Sequence, residues 1–164
     1  MSYATTRIAV VVVTLGLLPH PAAQGLVTQR NLSLALAKTI AEATLAECKS
    51  KGFNTAAAVV DRAGQVLVIL RDEQGTAQMA EMARRKAYTA RMFRMPTSEF
   101  QKRTASDPSL LPQRDVQDIL ALGGGMPILA GGEVIGGVGS SGSSQETDES
   151  CAKAGLAKVA DHLK

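Results

Sequence analysis

A chain of 164 residues, 45% hydrophobic and 20% charged, is long enough for one self-sufficient core and too apolar for disorder. Its net charge of +3 is a weak balance that makes no case for nucleic-acid or membrane-surface binding. Aromatics are 3% and Trp is absent, which argues against a single-strand stacking platform and leaves the core to Ala, Val, Leu, Ile and Met.

Arg7 precedes an apolar run from Ile8 to Leu18, broken only by Thr14 and Gly16. Pro19-His20-Pro21-Ala22-Ala23-Gln24-Gly25 follows. A short basic region, an apolar segment and small residues predict an export leader over 1–24, cleaved around Ala23 to Gly25. The run falls short of the ~20 residues of a spanning helix, so no stable membrane span is expected. A membrane anchor and a buried N-terminal strand are the alternatives. On the leader reading, residues 25–164 form one periplasmic or secreted domain.

That domain holds Cys48 and Cys151, both on expected helices. An oxidising compartment favours a bridge between them, which in the loop-entropy account is worth up to roughly 4–5 kcal/mol. Two separate buried thiols are the alternative.

Leu26 to Ser50 reads as a long helix, with Leu32, Leu36, Thr39, Ala43 and Ala46 at three- and four-residue steps. Thr28 or Asn31 is its expected cap and Gly52 its expected stop. The period then changes. The runs Ala56 to Asp61 and Val66 to Leu70, around a short turn at Gly64, predict an antiparallel hairpin. Neither strand alternates cleanly, which suggests cover on both faces. Gln78 to Phe93 is the second helix, closed by Pro96, with Met79, Met82, Ala83, Ala87 and Ala90 on one side. Thr97 to Phe100 is expected as a short turn, and Gln101 to Gln113 as loop. A weak strand or turn is expected near Asp118 to Leu122.

The glycine-rich stretch beyond Gly123 reads as a second hairpin. Met126 to Ala130 and Val134 to Gly139 are its strands, and Gly131-Gly132 its turn, where positive φ is needed. Ser140 to Ser144 is an expected loop. Gln145 to Leu163 is an expected last helix, capped by Ser144 or Thr147, with Gly155 kept for close helix contact. The order helix, hairpin, helix, loop, hairpin, helix predicts an α+β domain around one antiparallel sheet of four or five strands.

Several chemistries fail on spacing. Gly123-Gly124-Gly125-Met126-Pro127 lacks the lysine of a phosphate-binding P-loop and enters a strand. Gly136-Gly137-Val138-Gly139 lies inside a hairpin strand, not at a strand–helix turn of a dinucleotide fold. Without the leader, His162 is the one histidine, so neither a serine triad nor a zinc site finds its residues and no metal is expected. The turn from Gly139 to Ser144 does enter a helix start, where free N–H groups suit an anion. Arg71 and the basic stretch Arg84-Arg85-Lys86 could frame that anion; a solvated face paired with Asp72, Glu73 and Glu81 is the alternative.

The residues Val59-Val60-Asp61-Arg62-Ala63-Gly64, Arg71-Asp72, Arg85-Lys86-Ala87-Tyr88-Thr89-Ala90, Gly124-Gly125-Met126-Pro127-Ile128, and Gly136 to Gly142 followed by Gln145-Glu146-Thr147-Asp148 carry a likeness. In this order they resemble the GlcG/HbpS-like family of haem-binding or haem-degrading domains. The resemblance implies a profilin-like α+β fold with a five-stranded antiparallel sheet flanked by helices. It also implies homo-oligomers, from dimer to octamer. Its first functional implication is an exported protein that binds or degrades haem. Haem-binding relatives use a histidine on the first helix. None stands between Leu26 and Ser50 here, so His162 becomes the candidate iron ligand, with Met, Tyr or Lys as substitutes. The second implication is a metal-independent enzyme acting on a small carboxylated metabolite at a subunit interface. In that case Arg71, Lys86, Glu146 and Asp148 are the catalytic candidates. Gly139, Ser140, Ser141, Gly142 and Arg85 would hold the ligand.

Overall fold

The computed structural model describes Gly25 and residues 27–164. The expected leader over 1–24 lies outside the described residues. The element order is α1 (Leu34–Ser50), β1 (Ala56–Val60), β2 (Val66–Arg71), α2 (Ala77–Phe93), α3 (Thr97–Ser106), β3 (Gly125–Ala130), β4 (Glu133–Ser141) and α4 (Gln145–Ala157). Two 3-10 segments, Pro108–Arg114 and Ala160–His162, complete it.

The strands form one antiparallel sheet in the order β2-β1-β4-β3. The two hairpins therefore join side by side through β1 and β4. Among the described residues the sheet has four strands, not the five that the resemblance implies. The segment 118–122 supplies none: Asp118 is left-handed at φ 69, and the Leu120 N–H donates to the Thr89 hydroxyl at 2.8 Å, not to a ladder.

β1 is central, and every one of its residues is buried. This explains its lack of alternation. Ala57 and Val59 face α1 and α4 with Ile40, Ala41, Ile128, Val138 and Ala152. Ala56, Ala58 and Val60 face α2 with Ala83 and Ala87. Each fully buried Ile or Val of this core stabilises the fold by about 1.5–3 kcal/mol. Val138 turns to the α1–α4 side, while Gly137 and Gly139 turn to α2. A methyl group at Gly137 would collide with the Ala87 carbonyl oxygen, and one at Gly139 with that of Ala83. The glycines are thus the floor on which α2 lies.

Several sequence expectations need correction. α1 begins at Leu34, and Ser33 caps it, its hydroxyl accepting from the Leu36 N–H at 3.2 Å. Neither Thr28 nor Asn31 is the cap. The loop expected beyond Gln101 begins as α3, a ten-residue helix whose buried Phe100 stacks on Phe93 at 4.2 Å between ring centroids. Thr97 is its first residue, and its hydroxyl accepts from the Gly125 N–H at 2.8 Å. β4 runs two residues past Gly139, so Ser140 and Ser141 belong to the strand, not to a loop, because they pair with Ala57 and Ala56. α4 stops at Ala157, and a 3-10 turn follows where a continuous helix was expected.

Gly155 sits where α4 crosses α1: a methyl group there would meet the Thr44 hydroxyl and lie 2.7 Å from the Ile40 carbonyl oxygen. The same two helices are tied by a disulfide between Cys48 and Cys151, with Cα atoms 5.5 Å apart and a sequence separation of 103.

Candidate functional site

The antiparallel order divides the chemistry between two ends of the domain. One end collects the close of β2, the close of β4 and the start of α4. The other collects both hairpin turns, the C-terminus of α2, the segment before α1 and the C-terminal tail.

At the first end Lys86 is buried, as is Asp148 in the first turn of α4. The Lys86 ammonium donates to Asp148 Oδ2 at 2.8 Å and to the Ser140 carbonyl oxygen at 2.9 Å. Asp148 Oδ1 accepts from the Ser143 hydroxyl at 2.7 Å and from the Ser143 N–H at 3.2 Å. Gly124, at φ 119, closes over the pair: a methyl group there would lie 2.9 Å from the ammonium and 2.8 Å from the Ser140 carbonyl oxygen. Burial pushes the Lys86 amine below its ordinary value, against the opposing charge of Asp148. The arrangement locks α2, β4 and α4 together. Both charged groups are engaged within the protein itself.

The other expected site residues lie apart from that lock. Arg71 is exposed at the end of β2 and donates to the carbonyl oxygens of Asp72, at 3.2 Å, and Gly75. Arg85 donates to the Ile119 carbonyl oxygen at 2.5 Å and so holds the segment before β3. Ser140 is buried, with its hydroxyl 3.5 Å from the Cys48 sulfur; Ser141 is buried as well. A methyl group at Gly142 would lie 2.8 Å from the Asn54 carbonyl oxygen, so the strand end is packed, not open. Glu146 is exposed and lines a cleft of about 320 Å³ between α3 and α4 with Ser98, Lys102, Glu149 and Lys153. The structure thus brings Lys86, Asp148 and Ser140 together and leaves Arg71, Arg85 and Glu146 in three different settings.

The second end holds a group that sequence reasoning missed. Arg62 in the first hairpin turn and Arg91 and Arg94 at the end of α2 line a cleft of about 450 Å³ with Gly131, Glu133 and Val134. Arg62 is paired with Glu133. Arg91 Nε is buried without a hydrogen-bond partner. Burial, with the charges of Arg94 and Arg62, pushes the Arg91 guanidinium below its ordinary value. Arg94 is left-handed at φ 57, a conformation that disfavours a side chain by about 1–2 kcal/mol. The basic content of α2 was visible in sequence; its meeting with Arg62 required the strand order.

His162 lies at this same end, exposed on the last 3-10 turn. The next residue anchors the tail, because the Leu163 carbonyl oxygen accepts from the Gly131 N–H at 3.1 Å. Among the described residues no group of three or more His, Cys, Asp or Glu is arranged to hold a metal ion. Among the same residues no helix is long and apolar enough to cross a membrane.

Comparison with known proteins places this architecture. A solved structure of a double mutant of HbpS from Streptomyces reticuli is 38% identical, with a TM-score of 0.77 over 84% of this chain and 94% of that one. A PduOC–haem complex is 26% identical, with a TM-score of 0.70 over 77% of this chain and 94% of that one. A 15.0 kDa protein of Citrobacter freundii from the dhaT–dhaS intergenic region, described as uncharacterised, is 33% identical over 77% of this chain and 90% of its own length. The family described as "Haem degrading protein HbpS-like" matches residues 32–157, which take in the whole sheet, the Lys86–Asp148 lock and the arginine cleft. The chain belongs to this HbpS-like family.

Proposed function

We propose that this chain is an exported haem-binding protein that takes haem on its surface through His162. The observation that carries this reading is the PduOC–haem complex, which shares the fold at 26% identity within a family described as haem-degrading.

Haem needs an iron ligand and apolar cover for its ring. α1 carries no histidine, and His162 is the one imidazole among the described residues. It is exposed and lines none of four clefts of about 320 to 450 Å³; His, Cys, Met and Tyr line none of them, while Lys102 and Lys153 line one and Lys158 another. The residues therefore fit ligation by a surface imidazole and do not fit a closed haem pocket within one chain. Haem, when bound, supplies a redox-active iron.

Cover for the ring is then left to a second copy. The β2 edge exposes Val66 and Ile69, apolar residues on a strand with one unpaired side, and such an edge favours association. Export is supported by the leader pattern over 1–24 and by the Cys48–Cys151 bridge, since disulfides persist in oxidising compartments.

A haem titration of the exported protein, followed at the Soret band, tests the reading. One-site saturation that is lost in His162→Ala is expected. Absence of a spectral shift, or unchanged binding in the variant, overturns the haem assignment. N-terminal sequencing of the same material should begin near Gly25; a retained Met1 overturns the leader.

A further inference from the structure

The arginine cleft carries more positive charge than the protein neutralises. Arg62 has Glu133. The other nearby carboxylate, Asp61, is engaged in its own turn, accepting from the N–H groups of Ala63 at 2.8 Å and Gln65 at 2.9 Å. Among the described residues neither Arg91 nor Arg94 has a salt-bridge partner. Arg91 Nε is buried and makes no hydrogen bond. A buried donor left unpaired costs about 1–3 kcal/mol, so the site stores a preference for an acceptor.

The C-terminal dipole of α2 accounts for part of this, because basic residues are favoured in a last helical turn. It does not account for Arg62, which comes from a different hairpin, or for the unpaired buried Nε. Nor does it account for a left-handed Arg94 where glycine is the usual residue.

We propose that the cleft framed by Arg62, Arg91 and Arg94 binds an organic anion bearing two or more carboxylates. Two guanidinium groups without partners match two carboxylates, each able to accept a planar pair of N–H bonds. A volume of about 450 Å³ lies within the range of organic-ligand sites and far exceeds an inorganic oxyanion. A second cleft of about 340 Å³ adjoins it and shares Arg62 and Arg91, which leaves room for the ligand's carbon frame. This site is separate from the Lys86–Asp148 lock and does not rest on the haem reading. A free polycarboxylate and the two propionates of haem present the same chemistry to it.

Calorimetric titration of the full chain with citrate and succinate tests the proposal, with acetate and inorganic phosphate as comparators. Saturable binding of citrate or succinate, at least tenfold tighter than acetate and phosphate, is expected. Arg91→Gln should weaken it about tenfold or more. Arg94→Gly should weaken it similarly while melting no lower than the parent, since glycine suits φ 57. No saturable heat, unchanged affinity in both variants, or equal binding of acetate and phosphate overturns the proposal. Haem that displaces citrate supports the cleft and assigns its carboxylates to the propionates. Haem that binds alongside citrate supports a separate site for a free acid. Citrate binding without any haem binding leaves this inference standing while the haem reading fails.

Discussion

Lys86 and Asp148 meet at 2.8 Å with side chains only 1% and 2% exposed. They join the middle of α2 to the first turn of α4, across the strand end at Ser140. An ion pair so buried is weak evidence of net stability, because desolvation offsets much of the attraction. Breaking it is another matter. Asp148→Asn leaves a buried ammonium without its counter-charge and should destabilise the fold by about 3–5 kcal/mol. Lys86→Met together with Asp148→Asn should cost much less than the sum of those two single changes. Urea unfolding across the double-mutant cycle reads the coupling. A loss below about 1 kcal/mol in Asp148→Asn would show that the pair is not the lock described.

Gly155 reverses a propensity rule. Within a helix, Gly→Ala ordinarily gains about 1 kcal/mol. Here the added methyl group meets the Thr44 hydroxyl and the Ile40 carbonyl oxygen of α1. Overpacking of that kind costs typically about 1–3 kcal/mol. Gly155→Ala should therefore lower the melting temperature, although helix propensity alone predicts a rise. Gly155→Ala combined with Thr44→Ala should recover part of the loss. A melting temperature above the parent's for the single variant would remove close α1–α4 contact as the reason for this glycine.

Acid stability should depend on Asp72. The Lys49 ammonium donates to it at 2.9 Å and the Gln74 N–H at 3.3 Å, and these hold its carboxyl below the ordinary 3.8. The folded state then binds fewer protons than the unfolded state near that value. The stabilisation is complete above pH 3.8 and is lost as pH falls through the lower folded value. Asp72→Asn should cost its full, constant amount of stability across the neutral range and flatten the fall on the acid side, where parent and variant converge. Glu81, Asp107 and Glu133 are also held low, so some acid slope remains. Urea midpoints from about pH 3 to pH 6 measure it. Identical acid limbs in parent and variant would remove Asp72 from the account.

Much of the fold was legible along the chain because its cues are local. The run Val66 to Leu70 and the turn at Gly64 specify a hairpin without reference to anything distant. The pair Gly131-Gly132 does the same for the second, at φ 57 and 82. Gly155 and the cysteine pair were legible too, one as a propensity violation and the other through compartment chemistry. The helix starts were less so: Thr28, Asn31 and Ser33 are all competent caps, and packing of Leu32 and Ala37 against the core chose Ser33. α3 was missed because Thr97 to Ser106 is polar overall, and its helical face is declared only by Phe100 against Phe93.

The sequence by itself determined both hairpins and the three helices α1, α2 and α4, and it carried the family's motifs in order, because propensity, turn chemistry and periodicity act over a few residues. Tertiary structure alone decided what the polar residues do. Pairing of β1 with β4 drew Ser140 and Ser141 into the sheet and buried Lys86 against Asp148. The same pairing set both hairpin turns at one end, beside the C-terminus of α2, and so gathered Arg62, Arg91 and Arg94 around one cleft. Residues some thirty positions apart carry no local signal of such a meeting. Only the strand order, fixed by burying β1 on both faces, brings them together.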